Sequence, residues 1–249
     1  MRPERVVVII ANRNYGHFIE GCLSSAVDEK PSLVVVVDDG STDDSADRVV
    51  SMMDHPKTEQ AGEVPYCSGL VSGIRVNLFA ANESRGPSSA RNWAIRSAWD
   101  EADYFAILDA DDRFIPGRID KCLNALNKYG EIAGAVYNDY YHVRDGIRIH
   151  HCKPSYSRRG LAVDNMVHSA GIIRKSALAE IGLYDEALPL CEDYELWMRI
   201  AQKRVILHVP EPMMLVNEGA WQLSRSQPAE HWTKCLSEVK RRHCQNLLS

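Results

Sequence analysis

Four short strand-like runs, separated by helix-like segments, constrain this chain more than any other feature. They are Val6–Ala11 (VVVIIA), Leu33–Val37 (LVVVV), Ile74–Phe79 and Tyr104–Leu108 (YFAIL). The first and second are continuous apolar β-branched runs, which suit strands buried on both faces of a parallel sheet, and the other two read as the third and fourth strands. Between them, His17–Val27 places Phe18, Cys22, Leu23 and Ala26 on one face of a helix, and Ser88–Asp100 follows Pro87, a residue suited to a helix start. A further helix follows the second run to about Met53, with Ser41 or Thr42 able to cap it. The alternation β-α-β-α-β-α-β argues for a doubly wound, mainly parallel sheet with right-handed crossovers.

Each run ends in polar residues: Asn12–Asn14, Asp38–Ser41, Asn82–Gly86 and Asp109–Asp112. Ligands of open α/β sheets bind beyond the carboxyl ends of the strands. Four polar strand ends converging on one crevice are therefore the strongest physical sign of a site. Residues 54–72, with Pro56, Pro65 and Gly69, read as an irregular loop.

The second half is more mixed. Helices are expected at Arg118–Tyr129 (capped by Gly130), Ser176–Ile181 (closed by Gly182), Tyr194–Lys203 and Glu230–Leu248. Strands are expected at Ala133–Val143, Ile147–His151 and Val205–Val209. The 249 residues fit one domain in three stretches: 1–112, 113–226 and a C-terminal helix over 227–249.

Several function classes are disfavoured. A formal net charge of -5 gives no global argument for nucleic-acid binding. No GxGxxG, GxxxxGK[ST] or GxSxG occurs, which counts against dinucleotide, P-loop and nucleophile-elbow chemistry. The seven cysteines include no CxxC pair, so zinc-finger spacing is lacking and reduced thiols are the plain reading. No stretch approaches the ~20 apolar residues of a membrane span, so a cytoplasmic protein is expected, with docking on a membrane surface left open.

Three clusters carry chemistry. Asp109, Asp111 and Asp112 crowd three carboxylates into four residues, and such charges repel unless a cation or donors offset them. Mg²⁺ or Mn²⁺ suits these oxygens and shares its shell with substrate phosphates; the alternative is an acidic helix-capping turn. In the Asp38-Asp39 pair, one acid can accept from a nucleoside while the other caps a helix. Glu192-Asp193 precedes a helix and reads either as a dipole partner or as catalytic. Between His142 and Arg159 lie Arg144, Arg148, His150, His151, Lys153, Arg158 and Arg159 against a single acid, Asp145. That stretch is a solvated hairpin or a dock for an anionic acceptor. His168, in an apolar-polar mix, fits a structural role.

Taken together, these motifs resemble glycosyltransferase family 2, the inverting family of GT-A fold. The resemblance runs from about Val6 to Ser226 and rests on Val8–Ile19 (VIIANRNYGHFI), Val36–Ser45 (VVDDGSTDDS), Asn82–Asn92 (NESRGPSSARN), Ile107–Asp112 (ILDADD) and Gly182–Arg199 (GLYDEALPLCEDYELWMR). It implies a GT-A α/β fold with a mainly parallel central sheet and a small antiparallel acceptor-side sheet. It also implies a nucleotide-sugar donor, UDP-linked by preference, an Mn²⁺ or Mg²⁺ ion and a hydroxyl-bearing acceptor. By the same resemblance Ala11, Asn12 and Arg13 line the base, Asp39 binds it, and Arg85 and Gly86 flank it. Asp109 contacts the ribose or metal-bound water, Ala110 belongs to the donor-binding set, and Asp111, with Asp109, serves the metal. Asp193 is the general base, while Glu192, His168 and Trp221 are acceptor or sugar contacts. Two departures stand out. Ala11 replaces the family's usual Pro, and Val216, Asn217 and Gly219 stand where a Tyr-Arg and a later His are common, with Glu218 or Trp221 as replacements. A catalytically silent sugar-nucleotide-binding protein on the same fold is the alternative.

Overall fold

A computed structural model of the chain describes residues 4–61, 64–217, 219 and 227–248. Two compact units divide it, Met1–Ile119 and Asp120–Ser249.

In the first unit, β1 (Val6–Asn12), α1 (Gly16–Asp28), β2 (Leu33–Asp38) and α2 (Ser45–Ser51) follow in order. Next come β3 (Asp54–Ala61), β4 (Val64–Val71), β5 (Ile74–Ala80), α3 (Pro87–Ser97), β6 (Tyr104–Asp109) and β7 (Arg113–Phe114). The parallel strands lie in the order β5-β2-β1-β6. All four runs expected as strands occupy this core, and Val7 to Ile10 and Val34 to Val37 are fully buried. The register aligns the strand ends. Asn12 lies opposite Asp38, which lies opposite Ala80, and Ala11 lies opposite Asp109. One edge of the sheet therefore presents every polar terminus together.

The segment expected as an irregular loop is a β-hairpin, β3–β4, paired antiparallel onto β5. The residues that read as breakers sit where a strand tolerates them. Pro56 falls in a register shift between Asp54 and Lys57 of the outermost strand. Ser72 and Gly73, both at positive φ, form the two-residue turn into β5. The helix-capping expectation also changes. Helix α2 starts at Ser45 after Asp44, which makes no side-chain capping bond, and Ser41 is engaged elsewhere.

Helix α4 (Arg118–Tyr129) carries the chain into the second unit. There β8 (Ala133–Arg144) is the organising strand. It pairs antiparallel with β9 (Ile147–His151) and β10 (Ile172–Arg174), and in parallel with β11 (Val205–Asn217). Strand β11 runs well beyond the expected Val209. Helices α5 (Arg158–Val163), α6 (Lys175–Ile181), α7 (Glu192–Lys203) and α8 (Ala229–Leu248) complete the unit. The short α5 had no counterpart in the sequence reading. Trp197, Tyr194 and Tyr137 are fully buried and anchor this core.

Helix α7 is clamped to the turn before it by Arg199. Its guanidinium donates to the carbonyls of Ile181 at 2.7 Å and Leu183 at 2.6 Å, and pairs with Glu195 one turn earlier. Among the described residues, no helix is long and apolar enough to cross a membrane.

Candidate active site

The acidic pair after β2 divides its labour. Asp38 turns toward the loop after β1: Asn12 Nδ2 donates to it at 2.6 Å, and Ser41 donates through N at 2.9 Å and Oγ at 2.7 Å. Ser41 Oγ also accepts from Asn14 N, and Asn14 Oδ1 accepts from Thr42 N. These bonds latch the two loops to each other.

Asp39 turns toward the loop after β5. It accepts from Ser84 Oγ at 2.6 Å, Arg85 N at 2.8 Å and Gly86 N at 2.8 Å. Gly40 makes this close approach feasible. Its φ is +70°, and a Cβ there would stand 2.7 Å from Ser84 N and 2.8 Å from the Glu83 carbonyl carbon. Three of the roughly four lone-pair directions of the Asp39 carboxylate are thus occupied, leaving room for about one further donor. The residue is buried, and it fixes Arg85 and Gly86 directly. Gly86 in turn precedes Pro87, the first residue of α3.

After β6, Asp109 receives a charge-assisted bond from Arg91 of α3 at 2.7 Å. Asp111 and Asp112 are buried. The negative field of this turn is read by its neighbours. Burial pushes the Tyr15 phenol up, and the charges of Asp111, Asp109 and Asp112 push it further. The buried Cys22 thiol is pushed up by the same causes. Such a site favours a cation. The three carboxylates do not form a three-ligand cage among the described residues. Mg²⁺ and Mn²⁺ need none, since one or two carboxylates with substrate phosphates and water complete their shell. The donor set is of the kind that fits such an ion, and Asp111 and Asp109 are the carboxylates that could hold it.

The first unit thus gathers the sequence-expected Ala11, Asn12, Asp39, Arg85, Gly86, Asp109, Ala110 and Asp111 along one sheet edge, with Arg13 exposed just after β1. Sequence reasoning missed Arg91, Ser84 and the latch role of Asp38. An Arg on the buried face of α3, beside Ala90 and Ala94, was the available signal for the first of these.

In the second unit, α7 starts two residues earlier than expected, so Glu192 and Asp193 lie in its first turn. Asp193 accepts from Tyr194 N at 2.7 Å and from Asn165 Nδ2 at 3.1 Å. Asn165 was not anticipated. Half-buried Lys153 has its pKa lowered, first by desolvation, against the opposing charges of Asp164, Asp193 and Asp139. His168 has both ring nitrogens on main chain: Nε2 lies 3.0 Å from Asn138 O, and Nδ1 accepts from Ala170 N. That bonding suits the structural role, and it leaves the ring among Tyr137 and Tyr140. Trp221 and Glu218 lie outside the described residues.

The basic stretch is only partly a solvent face. Arg144, Arg148, Arg158 and Arg159 are exposed, whereas His150 and the Lys153 main-chain N–H turn to Asp139, and His151 stacks on Tyr140.

Known proteins are similar to this chain in sequence and in fold. Residues 6–182 match the profile of glycosyl transferase family 2. Succinoglycan biosynthesis protein ExoU of Rhizobium meliloti is 32% identical over 214 residues, covering 79% of this chain and 57% of that protein. Among solved structures, S. aureus TarS 1–349 in complex with UDP-GlcNAc superposes with a TM-score of 0.71 at 17% identity, over 94% of this chain and 65% of that one. The mannosyltransferase PcManGT from Pyrobaculum calidifontis, in complex with GDP-Man and Mn²⁺, does so at 0.64 and 18% identity, over 96% and 65%. The chain therefore spans less than two thirds of each of these proteins, and its fold is the GT-A fold.

Proposed function

This chain belongs to glycosyl transferase family 2, and on that premise we propose that it is a metal-dependent inverting glycosyltransferase. It moves a sugar from a nucleotide-diphosphate sugar, UDP-linked by preference, to an acceptor hydroxyl. The observation that carries this reading is the first unit's sheet edge. There the buried acid Asp39 and the acidic turn Asp109–Asp112 are held at one end of the parallel strands by bonds within the unit. The nucleotide-sugar complexes of TarS and PcManGT support the donor class, and the Mn²⁺ of the latter supports the ion.

Ala11, Asn12 and Arg13 line the base, which Asp39 recognises with Arg85 and Gly86 beside it. Asp111 and Asp109 would hold Mn²⁺ or Mg²⁺, and Ala110 between them would contact the donor nucleotide. The ion, when bound, supplies Lewis-acid stabilisation of the departing diphosphate. Asp193 takes the acceptor hydroxyl proton as the new C–O bond forms, and Asn165 holds that carboxylate in place. Direct displacement inverts the anomeric carbon without a covalent enzyme intermediate. Glu192, His168 and Trp221 are assigned to the acceptor or sugar. The exposed Arg144, Arg148, Arg158 and Arg159 favour an anionic acceptor. Residues 1–112, 113–226 and 227–249 act as one catalytic domain.

Calorimetric titration with UDP, GDP and dTDP, each with Mn²⁺ and with EDTA, tests this. UDP binding that depends on the metal and is lost in Asp111→Asn is the expected result. Preference for another nucleotide replaces the donor assignment. Folded protein that binds none of the three overturns the enzyme reading in favour of a silent relative.

A further inference from the structure

The second unit holds a cluster that the proposed reaction does not use. Asp139 of β8, His150 of β9 and Cys152 just beyond β9 bring a carboxylate oxygen, a ring nitrogen and a thiol within 4.8 Å of one another. We propose that these three side chains bind a transition-metal ion of the zinc class, as a site separate from the Asp109–Asp111 turn.

Strand geometry assembles the cluster. His150 and Cys152 are two residues apart, so an extended chain points both to one face. The β8–β9 register pairs Tyr141 with His150 and Tyr140 with His151. One step further in that register sets Cys152 opposite Asp139, and His150 is then its diagonal neighbour.

The spacing suits a tetrahedral ion. Zinc bonds of about 2.0–2.3 Å to N, O and S separate neighbouring donors by about 3.3–3.7 Å. His150 Nε2 stands 3.3 Å from Asp139 Oδ2, and Cys152 Sγ stands 3.7 Å from His150 Nε2. Cys152 and His150 are both exposed, so small side-chain rotations close the remaining edge. A mixed N, S and O set selects zinc over the hard ions that suit Asp111.

The carboxylate is already oriented for such a role. Asp139 is buried, and its Oδ1 accepts from Lys153 N at 2.9 Å and lies 2.8 Å from His208 Nε2. The His208 ring is stacked on Tyr137 at 4.7 Å. The Tyr137 hydroxyl donates to Pro154 O at 2.6 Å, which pins the chain just after Cys152. Outer partners of this kind fix the direction in which a ligand atom points. Oδ2 is thereby left facing His150. Three protein ligands leave one position for water or a bound group. Bound zinc would tie the exposed end of the hairpin to the buried strand that supports it.

The test uses the full chain without a histidine tag, freed of metal and titrated with Zn²⁺ by calorimetry and with Co²⁺ by absorption. One equivalent should bind with a thiolate-to-cobalt charge-transfer band. Cys152→Ser should abolish the band and weaken Zn²⁺ binding by more than ~10-fold, at least the loss that follows removal of an outer partner. His150→Ala should weaken it similarly. Asp111→Asn should leave both signals intact, which separates this site from the donor-metal assignment. Both substituted side chains are exposed, so circular dichroism should be unchanged. A missing thiolate band, or folded Cys152→Ser and His150→Ala variants that bind Zn²⁺ as tightly as the parent, would overturn the proposal.

Discussion

Replacing Asp39 by Asn tests whether this carboxylate holds the loop after β5. The side chain is 6% exposed and accepts three hydrogen bonds, one on Oδ1 and two on Oδ2. An amide has one oxygen. Placed at Oδ2, it keeps Ser84 Oγ and Gly86 N but turns an NH₂ group toward the Arg85 N–H. Each retained bond falls from a charged acceptor, worth about 1.5–3 kcal/mol, to a neutral one worth about 0.5–1.5. The stranded N–H adds about 1–3 kcal/mol. Arg85 is exposed, so water can reach part of the loop and soften that cost. The net expectation is a loss of about 2–4 kcal/mol, read as a shift of roughly 1–2 M in the urea midpoint. Ser84→Ala alone should cost about 1 kcal/mol. The double variant should cost less than the sum, because Asp39→Asn already weakens the bond that Ser84→Ala removes. A midpoint within ~0.3 M of the parent for Asp39→Asn, or strict additivity with Ser84→Ala, would refute the reasoning.

Other outcomes follow from neighbouring geometry. Gly40→Ala should destabilise by about 2 kcal/mol or more in the same urea assay, since a side chain at positive φ costs about 1–2 kcal/mol before the contact with Ser84 N is counted. Glu195 is held below the usual carboxylate range: burial raises its pKa, but His243 and Arg199 outweigh that. Its folded pKa is therefore below the unfolded one. The stability it contributes is present above the ordinary glutamate value and is lost as pH falls through the depressed one. Glu195→Gln should accordingly flatten the acid limb of the midpoint-versus-pH curve, and an unchanged slope below pH ~4.5 would contradict this. Asp193→Asn should abolish sugar transfer while nucleotide affinity stays nearly constant; equal loss of both would mean that another group is the base.

Local pattern made part of this protein legible. A strand covered on both faces needs an unbroken apolar run, so Val6–Ala11, Leu33–Val37 and Tyr104–Leu108 declared the parallel core, and Ile74–Phe79 joined it despite Arg75 and Asn77. The polar residues ending each run marked the edge proposed for the donor, because β-structure cannot bury them unpaired. Gly130 and Gly182, both at positive φ, marked helix ends for an equally local reason.

What spacing along the chain could not show is which distant polar groups meet. Pro56 looked like loop punctuation until pairing with a neighbouring strand turned it into part of a bulge in the β3–β4 hairpin. The motif Asp38-Asp39 is one signature in sequence, yet Asp38 latches the loop after β1 and Asp39 the loop after β5. Arg91 meets Asp109 only because α3 packs beside the sheet. Cysteine spacing argued against a finger-type zinc site, and that remains true. Asp139, His150, Cys152 and His208 instead come together through strand register, from positions up to 69 residues apart. Burial and turn chemistry act over a few residues and are written locally. The partners of charged side chains depend on register and packing across the sheet, and only the tertiary structure decides them.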